Sequence, residues 1–240
     1  MGILNFDFNI PICDVGVKNE LTNKGFQRIM QEAATVASQS CGYGPNNVGT
    51  TRLFWVILNW KLEVYKRPKW NDKITIKTWP KDMIRCYSCR EYEAYDEKDN
   101  LIAIASSKWA LVSLDKGVIR IPEELEKDYQ CINISVFTAP LEKLTEPESS
   151  KCTFEYVVQK RDLDTNNHVN NTIYLDYAVE ALPKEVYENN DFKNIEIMYK
   201  HEAKAGDKIL GLYKELENNI HMITIKNKED NKLHAIIKLY

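Results

Sequence analysis

Three side chains that can move protons or donate hydrogen bonds stand two residues apart within RDLDTNNHVNNTIYLDYAVEALP (161–183): Asp164, Asn166 and His168. A carboxylate can deprotonate water or attack a carbonyl carbon, an imidazole can orient or donate, and an amide can donate. The D-x-N-x-H spacing leads into an apolar-periodic run that reads as a helix over 170–182, ended by Pro183. A helix N-terminus carries unpaired N–H groups and about half a positive charge, which suits a developing oxyanion. One more carboxylate, Glu202, reads as part of the following strand. Each residue alone also has a folding role: Asp164 and Asn166 as turn formers, Asn170 or Asn171 as the helix cap, His168 as a surface side chain. The combination is what points to chemistry.

The elements that must position this set recur twice. Residues 3–12 read as a strand and 14–39 as a helix, with Leu21, Phe26, Ile29, Met30, Ala33, Val36 and Ala37 near helical spacing. Four branched or aromatic runs follow, TRLFWVILNWKLEVYKRP, DKITIKTWP, MIRCYSCREYEAY and NLIAIASSKWALVSL, separated by turn signals. The segment 116–151 is rich in charge, holds three prolines and reads as a long connection. Then CTFEYVVQK reads as a strand, the helix follows, and FKNIEIMYKHEA, DKILGLYKEL, NIHMITIKN and KLHAIIKLY read as four more strands.

The repetition extends to single residues. A shift of 148 positions sets Asp14 on Asp162, Asn23 on Asn171, Phe26 on Tyr174, Glu32 on Glu180 and Ala33 on Ala181. A shift of 135 sets KWNDKI (69–74) on KAGDKI (204–209). A helix on antiparallel strands buries its apolar stripe against one sheet face. The expected fold is therefore α+β: two tandem strand-helix-four-strand repeats forming one pseudo-dimeric antiparallel sheet with two central helices. The divisions expected are 1–116 for the first repeat, 117–151 for the connection and 152–240 for the second repeat. Under the same shifts Asp164 faces Gly16, Asn166 faces Lys18, His168 faces Glu20 and Glu202 faces Arg67. Polar residues present in one copy and absent from the other point to function rather than folding.

Composition narrows the classes. With 44% apolar and 28% charged residues over 240, the chain has the make-up of a folded globular protein. A formal net charge of -3 argues against a general binder of nucleic acid or anionic membrane. The start MGILNFDFNI lacks a charged-then-apolar leader, Phe6 stands where a myristoylation signal needs Ser or Thr, and no run approaches the roughly 18 apolar residues of a membrane span. Cytoplasmic residence is the expectation. The six cysteines are scattered and read as reduced thiols; Cys86 and Cys89 form C-x-x-C but fall in a run read as one strand. No metal site is expected. Trp55, Trp60, Trp70, Trp79 and Trp109 read mainly as core fillers.

Three segments together resemble one family. RDLDTNNHVNNTIYLDYAVEALP resembles the active-site signature of acyl-ACP thioesterases, NWKLEVYKRPKWNDKITIKTWP their Tyr-Pro-Trp strand pair, and AIASSKWALVSLDKGVIRIPEEL their A-S-S-x-W strand ending in I-P-E-E. The resemblance runs from about residue 4 to 239. It implies a double hotdog fold, with the acyl chain mainly in the first repeat and hydrolysis in the second. Asp164, Asn166 and His168 match the family's D-x-N-x-H, and Glu202 matches the glutamate of its Y-R-R-E-C segment. The cysteine of that segment, once assigned as a nucleophile, is Ala203 here.

Without that thiol the chemistry left is carboxylate-based. Asp164 or Glu202 acts as base for water, or Asp164 attacks directly to give a transient anhydride, while His168 and Asn166 orient groups or donate to the thioester oxygen. Each such donor is worth roughly 3–4 kcal/mol in comparable sites. The thiol leaving group, with a pKa near 8.5, departs with little assistance. No cofactor is called for. The partner implied is an acyl carrier protein bearing an acyl-phosphopantetheine, which YKRPK and KHEAK could help receive by positive charge. A homodimer is neither required nor forbidden by two fused repeats. The alternatives are an acyl-CoA thioesterase of the same fold, a hotdog dehydratase and a non-catalytic acyl or carrier-binding module.

Overall fold

Phe26, Ile29, Met30, Ala33, Ala34 and Ala37 are all buried, forming the inward stripe of helix α1 (Asn23–Ser40). The computed structural model describes residues 2–240, and in it the chain forms two compact units, Met1–Leu141 and Glu142–Tyr240. In the first unit α1 packs on an antiparallel sheet of β1 (Leu4–Asn9), β2 (Leu53–Val64), β3 (Lys73–Ile84), β4 (Tyr87–Asp96) and β5 (Leu101–Ser113), in the order β1-β3-β4-β5-β2. A short helix α2 (Val48–Thr51) precedes β2, and the two-residue β6 (Gly117–Val118) pairs with β5.

The stretch 117–141, expected in the connection, packs onto the first unit. Helix α3 (Glu123–Tyr129) buries Leu125 and Tyr129 in a cluster with Leu111 and Ile121. Trp55 Nε1 donates to the Tyr129 hydroxyl at 2.9 Å, and Trp79 Nε1 donates to the Ile134 carbonyl at 3.0 Å. Glu91, only 2% exposed, accepts the Ser106 hydroxyl at 3.0 Å and the Val136 N–H at 3.1 Å. Charged residues on α3 hid these two apolar anchors from the sequence pattern.

The second unit repeats the plan. Its strands β7 (Lys151–Val157), β8 (Asn194–Tyr199), β9 (Lys208–Leu216), β10 (Ile220–Asn227) and β11 (Leu233–Leu239) run in the order β8-β11-β10-β9-β7, with helix α4 (Ile173–Ala181) packed on β9, β10 and β7. Each strand takes the place of its counterpart in the first unit, β7 for β1 and β8 for β2.

Several boundaries differ from those expected. The first helix begins at Asn23 rather than near residue 14, capped by Thr22, whose hydroxyl accepts the Gly25 N–H at 3.0 Å. A Cβ on Gly25 would lie 2.8 Å from the Asp14 carbonyl, so only glycine fits that first turn. Ile173 occupies the equivalent place in the second unit, and there the helix starts later, after a turn at 171–172. Pro183 ends α4 as expected but also opens helix α5 (Lys184–Asn189). The run MIRCYSCREYEAY is two strands, not one. Chain reversal occurs at Arg85 and Cys86, with Arg85 at φ 60°, whereas Lys81–Asp82, read as a turn, lies at a β-bulge inside β3. Trp60 and Trp79 are buried, but Trp70 is 55% exposed, in the turn after β2.

Candidate active site

Asp164, Asn166 and His168 stand on the loop 163–169. A Leu163–Val169 bridge closes it, the Asp164 N–H donates to the His168 carbonyl at 2.8 Å, and the Asn167 N–H donates to the Asp164 carbonyl at 3.1 Å. Asn167 adopts φ 60°, a left-handed conformation that asparagine tolerates better than most residues. At its end the Asn170 N–H donates to the Asp162 carbonyl and the Val169 N–H to the Ala203 carbonyl, both at 2.8 Å.

The first unit makes the same loop bond for bond. Val15 bridges Leu21, the Gly16 N–H donates to the Glu20 carbonyl at 2.9 Å, and the Asn19 N–H donates to the Gly16 carbonyl at 2.9 Å. Asn19 has φ 57°, the Thr22 N–H donates to the Asp14 carbonyl at 3.0 Å, and the Leu21 N–H donates to the Pro68 carbonyl at 2.8 Å. Gly16, Lys18, Glu20 and Arg67 stand where the second unit has Asp164, Asn166, His168 and Glu202. The backbone of the loop therefore does not need those four side chains.

Asp164 is half-buried and its Oδ1 accepts the N–H groups of Asn166 at 2.8 Å and His168 at 3.2 Å. Asn166 is exposed and His168 half-buried. Glu202 does not lie on a strand: β8 ends at Tyr199, and the glutamate sits in the exposed connection to β9. Opposite faces of a strand therefore do not separate His201 from Glu202. The Val169–Ala203 bond carries that connection to the loop, beside His168. The Glu202 carboxyl is held below its usual range first by its own backbone N–H, against partial burial, and then by the positive charges of His168, Lys232 and Lys204.

The N-cap position is Thr172, and Asn170 accepts its N–H and hydroxyl through Oδ1 at 3.0 and 2.8 Å, while the Ile173 N–H goes to the Asn170 carbonyl at 2.9 Å. The Thr172 and Ile173 N–H groups are thus committed to Asn170, whereas the Asn166 amide and the His168 ring stand on the loop as side-chain donors.

Two further residues belong to the neighbourhood. Tyr174, 4% exposed, has its phenol pushed up by burial, while the Ala203 N–H at its oxygen acts the other way. Lys232 contributes charge to Glu202 from the turn before β11. The repeat comparison already held the signal for Tyr174, which faces Phe26 in the first copy. Nothing in the sequence pattern singled out Lys232. Cys152, the one cysteine of the second unit, is on β7; Thr153 beside it donates to the carbonyl of Ala181, the last residue of α4. It lies at the opposite end of that helix from the loop, roughly 13 Å along its axis.

The acyl-ACP thioesterase N-terminal domain matches residues 4–129, and the acyl-ACP thioesterase C-terminal domain matches residues 145–239.

The chain belongs to the acyl-ACP thioesterase family.

A relative, the chloroplastic oleoyl-acyl carrier protein thioesterase 2 of Arabidopsis thaliana, is 26% identical over 223 residues, 83% of this chain. The matched chain spans 59% of that protein's length. Among solved structures, an acyl-ACP thioesterase from Bacteroides thetaiotaomicron superposes with a TM-score of 0.89 at 20% identity, covering 99% of this chain and 96% of that one. The 12:0-ACP thioesterase from Umbellularia californica gives 0.86 at 20% identity, covering 99% of this chain and 96% of that one. These structures give the fold, a double hotdog. All four site positions fall within the family's C-terminal domain.

Proposed function

We propose that this protein hydrolyses the thioester of a fatty acyl chain carried on acyl carrier protein, releasing the free acid and so ending or diverting fatty acid synthesis, by chemistry that uses no cysteine nucleophile. The observation that carries the reading is the pair of identical loop backbones. Only the second carries an aspartate, an asparagine and a histidine at positions 164, 166 and 168, and the Val169–Ala203 bond brings the Glu202 segment beside them. Family membership supports the substrate class.

Asp164 takes the proton of a water whose oxygen attacks the thioester carbon. The C–S bond then breaks and the sulfur leaves as a thiolate, whose low basicity removes the need for a strong general acid. Asp164 suits this role because both of its backbone hydrogen bonds fall on Oδ1, leaving Oδ2 for the water. The His168 ring and the Asn166 amide donate to the carbonyl oxygen as charge grows on it. Glu202, carried to the loop by the Val169–Ala203 bond, places its negative charge near the His168 ring. The first unit, free of this polar set, accommodates the acyl chain. Residence in the cytoplasm belongs to the same proposal and is supported by the six unpaired cysteines.

The test is release of free thiol from acyl-ACP and, in parallel, from acyl-CoA. Asp164→Asn, His168→Ala and Glu202→Gln are each expected to lose about 10²-fold or more in kcat. Native rates in both carboxylate variants would overturn the assignment. Faster turnover of acyl-CoA would transfer the activity to that carrier. Tight binding of acyl-ACP with no release over hours would make the protein a binding module.

A further inference from the structure

His234 is buried, 2% exposed, on β11 of the catalytic unit. Its Nδ1 lies 3.0 Å from the His201 carbonyl oxygen. A carbonyl can only accept, so Nδ1 carries the proton and donates it to the residue next to Glu202. The other ring nitrogen, Nε2, is buried and finds no hydrogen-bond partner among the described residues. A core position that needed only apolar filling gains nothing from such a ring, because a buried polar atom without a partner is unfavourable.

The first unit shows what the position requires for folding alone. In β5, Leu101 pairs with Tyr95 and Ala103 with Ala94, leaving Ile102 as the extra residue of a bulge. In β11, Leu233 pairs with Lys226 and Ala235 with Ile225, leaving His234 as the extra residue of the same bulge. The Ile102 carbonyl accepts the Tyr65 N–H at 2.8 Å, and the His234 carbonyl accepts the Lys200 N–H at 2.8 Å. The two residues are thus structural counterparts. Ile102 is 1% exposed, so an apolar side chain fills this place in the repeat that lacks the polar set.

The segment these residues face is also pinned differently. In the first unit Arg67 fastens it from the loop side, donating to the Leu21 carbonyl at 2.9 Å and to Asn23 Oδ1 at 2.8 Å. Glu202 stands in place of Arg67, and a carboxylate has no N–H with which to make those two bonds, so it cannot serve as that fastener. The imidazole of His234 takes over on one side of Glu202, donating to the His201 carbonyl at 3.0 Å. It replaces an apolar residue, Ile102.

We infer that His234 is a positioning residue for Glu202: it fixes the 200–203 segment through the His201 carbonyl, so that the glutamate meets His168 in a single orientation. This rests on the hydrolase reading given above.

The experiment measures kcat and KM for thiol release from acyl-ACP, with thermal unfolding of each variant. His234→Ile installs the residue of the first repeat. It is expected to fold with a Tm no lower than the native one, to lose about 10-fold to 100-fold in kcat and to leave KM within about twofold. His234→Asn places an amide N–H near the position of Nδ1 and should recover most of that loss; His234→Gln, which reaches the Nε2 position, should not. In the Glu202→Gln background His234→Ile should cost no further activity, because its effect passes through Glu202. Native kcat in His234→Ile while Glu202→Gln is impaired overturns the positioning role and leaves the hydrolase reading standing. Native rates in both Asp164→Asn and Glu202→Gln overturn the reading and the inference together. Should His234→Ile fail to fold, equal losses in the Asn and Gln variants overturn the role, and recovery by Asn alone upholds it.

Discussion

Oδ1 of Asp164 accepts the backbone N–H of His168 at 3.2 Å, so the carboxylate and the imidazole are tied through the main chain rather than by side-chain packing. Gly16 takes the place of Asp164 in a loop of the same backbone hydrogen bonding, with no side chain at that position to accept the N–H groups that Asp164 takes. Asp164→Gly is therefore expected to lower stability by no more than about 1 kcal/mol, the usual conformational penalty of glycine. Its kcat should fall at least about 10²-fold. Urea unfolding and thiol-release kinetics on the same preparation check both halves. Loss of the fold would show that the carboxylate holds the loop after all.

Ala203 stands where the family pattern has a cysteine, and it is fully buried. Ala203→Cys adds one sulfur at a fully buried position, an overpacking change that costs about 1–3 kcal/mol. The variant should gain no activity and form no acyl-enzyme. A burst of product, or a thioester adduct on residue 203 in mass spectra of the quenched enzyme, would place the chemistry on sulfur.

The acid limb of kcat/KM offers a reading of Glu202. Its carboxyl is held below the usual range by its own N–H and by nearby positive charge, so it stays ionised as the pH falls to values where ordinary glutamates protonate. Activity that depends on the anion should persist to correspondingly low pH. Lys232→Gln removes one of those charges and should move the limb upward, an effect that salt screening should imitate in the native protein. A limb unchanged in Lys232→Gln at low salt would exclude Glu202 as the group that sets it.

Glu91 predicts a pH dependence of stability with the opposite sign. Burial raises its pKa, outweighing the Val136 N–H and the Ser106 hydroxyl that favour the anion. For a carboxyl raised in the folded state, the contribution to stability is complete below the unfolded-state value and is lost as the pH rises through the folded-state value. The native protein should therefore lose stability relative to Glu91→Gln as the pH rises from the unfolded-state carboxyl range, about pH 4, through the raised folded-state value, as read from urea midpoints of the two proteins. A difference independent of pH would mean that Glu91 titrates alike in both states.

Hydrophobic periodicity and two residue shifts located the duplicated plan, because branched strand runs and a buried helical stripe leave periods of two and about 3.6 in any sequence. Boundaries governed by single backbone positions were not visible in this way. Arg85 turns the chain with a positive φ where no glycine marks it, and Ile173 delays a helix that Gly25 starts earlier. The strap at 117–141 is not visible in the sequence because Leu125 and Tyr129 stand among charged residues, and the Val136 N–H is a backbone group that leaves no mark in residue types. Asp164, Asn166 and His168 could be singled out because the first copy serves as a control. The same comparison failed for His234: its counterpart Ile102 lies at a shift of 132, displaced from the 135 register used for the preceding strands. The geometry of Glu202 was misjudged for a related reason. Strand residues run up to Tyr199, and only the bonds from Val169 and His234 show where the chain leaves the sheet.

The matching loops 15–21 and 163–169 also bear on evolvability. A turn that folds equally well around glycine, lysine and glutamate or around aspartate, asparagine and histidine puts few demands on those positions. After duplication, one copy could drift there through point substitutions without passing through an unfolded ancestor. Reactivity could be gained, lost or retuned in either half while the other half kept its shape, which makes the hotdog pair a permissive substrate for changing chemistry.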